Sequence, residues 1–107
     1  MVIRLFHAKV RQGKQAEFKK VLEVLSLPAI QRRRGMIALY PGQPVGPKAD
    51  EFVLVTVWKD SAAVADDRWV KSVIPSEALS LLEEWHVAGY DSFGVTEQPL
   101  KPLFQTI

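Results

Sequence analysis

Few side chains in this sequence have types suited to chemistry: two histidines, three tryptophans, two tyrosines and an arginine inside a strand-like stretch. His7 lies within the alternating run VIRLFHAKV, and an imidazole suits general-base work at neutral pH. Arg4 shares a strand face with Phe6, where a guanidinium could hold a phenolate or carboxylate. Trp58, Trp69, Tyr40 and Tyr90 are the residues able to wall a dry, aromatic pocket. Each has a plainer explanation beside it. Alternation sets His7 opposite Phe6, where a hydrogen-bonded interface histidine is the simpler reading. Trp58 reads equally well as a core residue plugging one end of a sheet.

Other constellations are excluded or weak. Without cysteine there can be no disulfide, thiolate metal site or cysteine nucleophile. A zinc site would need both His7 and His86 and a well-placed carboxylate, so no metal is expected. His86 is expected at a helix end, where the dipole favours a cation. The run Arg32-Arg33-Arg34 could grip an anion, but it also sits before Gly35 as a helix C-terminus would. Asp66-Asp67-Arg68 resembles a solvated helix surface. No carboxylate pair, phosphate loop or Ser-His-Asp order stands out.

The chain has 107 residues, enough for one core that buries about two-thirds of the unfolded surface. A composition of 48% hydrophobic and 24% charged residues is that of an ordinary globular domain. A net charge of +2, from 14 basic and 12 acidic residues, argues against a nucleic-acid partner. With no run approaching ~18 apolar residues and no continuous apolar core in the N-terminal stretch, neither a membrane span nor a signal peptide is expected. The expected location is the cytoplasm.

The elements that must position these residues follow from periodicity. Residues 2 to 10 alternate as a strand, with Val2, Arg4, Phe6, Ala8 and Val10 on one face and Ile3, Leu5, His7 and Lys9 on the other. Phe18, Val21, Leu22, Leu25 and Ala29 recur at helical spacing from Lys14 to about Arg33, with Pro28 expected to kink the last turns. Met36 to Tyr40 reads as a short strand and Pro41 to Pro47 as a long connection. Glu51 to Ser61 is the most strand-like stretch, apolar on both faces, with Asp60 set to cap a short helix through Ala62, Ala63 and Val64. A segment from Trp69 to Ile74 precedes a helix opened by Pro75-Ser76, with Ala78, Leu81, Leu82 and Trp85 as its apolar face. A last strand is expected near Ala88 to Thr96. The order is that of a ferredoxin-like βαββαβ fold, α+β with an antiparallel sheet. Helices cover one sheet face, and the apolar remainder calls for a second copy.

The turn Gln12-Gly13-Lys14, the helix containing Glu17-Phe18, the Arg-Gly-Met-Ile segment and above all FVLVTVWKDSAAV resemble the antibiotic biosynthesis monooxygenase family of dimeric α+β barrels. The resemblance covers roughly residues 2 to 96, leaving 97 to 107 as a C-terminal arm. It implies a homodimer and a cofactor-free monooxygenase acting on a phenolic or quinol-type aromatic between sheet and helices. His7 and Trp58 would be its catalytic candidates. Arg4, Phe6, Tyr40, Leu54, Thr56, Trp58, Trp69 and Tyr90 would form its substrate wall. Departures are specific. Quinone-forming members place an asparagine where this chain has Leu54, and haem-degrading members have an asparagine at the position of Phe6 and an iron-ligating histidine at that of Leu79. Trp69 could match the latter group's tryptophan. The alternatives are a non-catalytic ligand-binding or scaffolding dimer and, further off, a haem-binding protein.

Overall fold

In a computed structural model, residues 1–47, 50–61 and 68–94 are described, Arg68 and Trp69 by their backbone alone. The elements are β1 (Val2–Val10), α1 (Gln15–Val21), a π-helical turn (Leu22–Ser26), α2 (Leu27–Gln31), β2 (Met36–Gly42), β3 (Glu51–Trp58), α3 (Arg68–Val73), α4 (Ser76–Leu79) and β4 (Leu82–Asp91). The sheet has four strands in the order β2-β3-β1-β4, all neighbours antiparallel. This is the ferredoxin-like topology.

Register sorts every strand residue onto one of two faces. Arg4 pairs with Thr56 and Gly89, and Phe6 with Leu54 and Val87, so these share the helix-covered side. Phe6, Val10, Leu54, Thr56 and Trp58 are buried there beneath Phe18, Leu22, Ile30, Val70 and Ile74. The opposite face carries rows of changing character. Ile3 lies between Val57 and Tyr90, Leu5 between Val55 and Ala88, His7 between Val53 and His86, and Lys9 between Glu51 and Glu84. One end of this open face is therefore apolar and the other polar.

The segment from Gln15 to Gln31 is one helical run with a π-turn at its centre. Pro28 has no amide hydrogen, and its ring would collide with the carbonyl four residues back in a regular α-helix. The chain widens just before it, and the Leu27 amide reaches the Leu22 carbonyl five residues back. Widening keeps Phe18, Leu22, Ser26 and Ile30, spaced by four, on the buried side. Leu25, expected in the apolar face, is 53% exposed as a result. The Arg32 to Arg34 run follows the helix, and Arg33 Nη1 donates to Ser72 Oγ at 3.1 Å, joining this end to α3. Gly35 has a φ of 87°, the left-handed region glycine enters at little cost, and its carbonyl accepts from the Lys59 amide at 2.7 Å.

Other sequence boundaries shift. β2 runs on through Pro41 and Gly42, which is possible because it is an edge strand and needs fewer amide donors. β3 stops at Trp58. The helix opened by Pro75-Ser76 ends at Leu79, and Trp85 and His86 belong to β4, well before the strand start expected at Ala88. Pairing along the whole of β1 outweighs local helical spacing, because each added residue gains ladder bonds and cross-strand contacts. Gly94 lies past the end of β4. The helix expected after Asp60 and the C-terminal arm fall outside the described residues.

Candidate functional site

A cleft of about 300 Å³ opens on the helix side of the sheet, between the π-turn region and the β2–β3 edge. Its apolar wall comes from Leu22 and Leu27, at either end of the widened turn, and from Phe52 and Leu54 on β3. Pro41, Gly42 and Gln43 close it from the edge strand. Phe52 is fixed from behind by Phe18, the rings meeting edge to face at 5.4 Å. Lys19 and Glu23 line the mouth and stand one helical turn apart, Nζ to Oε1 3.9 Å. The volume is at the small end of the range for ligand pockets, about 300–1,000 Å³.

Beyond Leu54 the same strand face is filled. The Trp58 side chain is 0% exposed, and its Nε1–H donates to Thr56 Oγ1 at 2.7 Å. Thr56 Oγ1 in turn donates to the Arg4 carbonyl at 3.3 Å. The Arg4 side chain lies across Gly89, where a Cβ would stand 3.4 Å from Arg4 Cδ. Phe6 meets Trp85 with ring centroids 5.6 Å apart. The plug reading of Trp58 is the one its burial fits.

The structure thus brings Arg4, Phe6, Leu54, Thr56 and Trp58 onto one face, with Leu54 among the cleft residues. Tyr40 pairs with Val55 and Tyr90 with Ile3, which puts both tyrosines on the open face, 63% and 53% exposed, rather than beside Trp58. His7 is on the open face too, stacked on His86. His86 is a strand residue, so no helix dipole acts on it. The Trp69 backbone is in α3, and its side chain lies outside the described residues. Lys19, Glu23, Leu27 and Phe52 line the cleft without being marked by residue type or motif in the sequence. Helical spacing did mark Leu22 as inward-facing, but a cleft between sequence-distant elements leaves no local signature.

No protein-family model matches the sequence, and no curated protein matches it. Solved structures do. A protein from Nitrosomonas europaea assigned as an antibiotic biosynthesis monooxygenase superposes with a TM-score of 0.68 at 17% identity, covering 88% of this chain and 100% of the other. A variant of SnoaB, a cofactor-independent oxygenase from Streptomyces nogalater, gives 0.68 at 15% identity, covering 91% and 97%. A MhuD variant with two manganese protoporphyrin IX bound per active site gives 0.69 at 16%, covering 92% and 100%.

Position 79 is a leucine, no histidine lines the cleft, and both histidines sit across the sheet from it. Among the described residues no three or more His, Asp or Glu side chains come together as metal ligands. No helix among them is long and apolar enough to cross a membrane. Topology, coverage and superposition agree that the chain has the ferredoxin-like α+β fold of the antibiotic biosynthesis monooxygenases.

Proposed function

We propose that this chain works as a homodimer that takes a phenolic or quinol-type aromatic into the cleft and oxidises it with O2, using no cofactor. The observation that carries this reading is the apolar cleft at Leu54 and Phe52 with Lys19 and Glu23 at its mouth. Glu23 takes the phenolic proton and Lys19 holds the phenolate, while the wall of Leu22, Leu27, Phe52 and Leu54 keeps water from the electron-rich ring. A phenol and O2 give a quinone and one water, so the substrate supplies all the electrons and no external reductant enters. Likeness to SnoaB supports the same chemistry. His7 takes no part as base, because it stands on the other side of the sheet.

The dimer forms through the open face, whose Ile3, Leu5, Val55 and Val57 rows need cover that α1 to α4 cannot reach. A two-fold partner offers the same rows back, with Tyr40 and Tyr90 at their flanks. Oxygen uptake by the purified protein with a panel of hydroquinones and polyphenols tests catalysis. Uptake that depends on Glu23 is expected. Silence across the panel contradicts catalysis.

A second reading, a binding dimer without turnover, has one observation in its favour: Leu54 stands where quinone-forming relatives have asparagine. Ligand affinity without oxygen uptake, together with turnover gained by Leu54→Asn, selects that reading.

A further inference from the structure

The geometry points to a transition-metal chelate on the open face, formed by His7 and His86, which is separate from the cleft and takes Cu2+ in preference to Zn2+. The two histidines are directly paired across β1 and β4. Their rings stack with centroids 4.8 Å apart and planes 13° from parallel. Two imidazole nitrogens bound to one ion at about 2.0–2.1 Å place the ring centroids about 4.5 Å apart at a right angle and about 5.2 Å apart at a tetrahedral one. The spacing already present lies between these values. Binding therefore needs the rings to open like a wedge about their side-chain torsions, with little movement of strand or centroid.

The surroundings favour a dication. His7, His86, Glu51 and Glu84 line one dimple of about 90 Å³ together with Lys9. The Lys9 ammonium is drawn to Glu83, Nζ to Oε2 3.5 Å. The pair also sits where the open face turns from apolar to polar, one row from Lys9 and one from Leu5. His86 is exposed in the protomer. With two protein nitrogens and water completing the shell, the site is an exchangeable one, and copper, highest for nitrogen ligands in the divalent series, binds most tightly.

Titration of the full-length protein with Cu2+ alone, in a non-coordinating buffer and followed by calorimetry and electron paramagnetic resonance, tests this. One ion per protomer is expected, with coupling to two nitrogens. His7→Gln and His86→Gln should each weaken binding by on the order of a hundredfold, as loss of one arm of a chelate does. His86 is exposed, so His86→Gln keeps the fold, and an unchanged urea midpoint without metal verifies it. Equal Cu2+ affinity in the wild type and the double variant would overturn the assignment, as would coupling to a single nitrogen.

Discussion

Trp58 and Thr56, two residues apart on one face of β3, are tied by an indole-to-hydroxyl hydrogen bond of 2.7 Å. The hydroxyl passes the interaction on to the Arg4 carbonyl of the neighbouring strand. A side chain held in this way, with no exposed surface, fills the space it occupies at its end of the sheet. The open space on the helix side lies farther along β3 at Leu54 and Phe52, between the π-turn region and the strand edge.

Removing the shared hydroxyl tests the anchor. Thr56→Val leaves the buried indole N–H without its acceptor and should destabilise the fold by about 1–3 kcal/mol. Thr56→Ser keeps the oxygen and loses one methyl group, about 1 kcal/mol. Urea denaturation followed by tryptophan fluorescence checks the order of the two. Equal losses would show that the hydrogen bond contributes nothing.

A charge in the centre of the open face should prevent pairing. Val55 sits there between Leu5 and Tyr40, and in a dimer Val55→Asp buries an unpaired carboxylate. Light scattering at micromolar concentration should give a dimer mass for the wild type and a monomer or unfolded chain for the variant. A wild-type monomer would refute the two-fold arrangement.

Gly42 sets how closely β2 approaches β3. A Cβ there would lie 2.8 Å from Val53 Cγ1, and neither a β-branched neighbour nor a paired strand yields easily. Gly42→Ala should cost about 1–3 kcal/mol as an overpacked site and weaken ligand binding, since the same backbone closes the cleft. A lowered denaturation midpoint with affinity preserved would separate the two effects and remove Gly42 from the site.

Much of the fold could be read from residue order. Alternation marks both central strands, Val2–Val10 and Glu51–Trp58, and sorts residues 2 to 10 onto the faces that the register shows. β4 was hidden because Ala78, Leu82 and Trp85 also fit a helix, and only the presence of β1 alongside decides between the two conformations. The π-turn was legible as a disturbance at Pro28, though not as the widening that exposes Leu25. Of the site, resemblance points to Leu54, and alternation puts Arg4 and Phe6 on one face of β1, the side that Leu54 shares. Tyr40 and Tyr90 were assigned by residue type, and type says nothing of which side of a sheet an aromatic ring occupies.

The most direct test of the central claim is calorimetric titration of a soluble hydroquinone into the wild type and into Leu27→Trp, whose indole would fill the cleft from the helix side. Saturable binding of one molecule per protomer by the wild type, abolished in a folded Leu27→Trp, is the predicted result. Equal binding by both proteins, or none by the wild type with any aromatic of the panel, would contradict it.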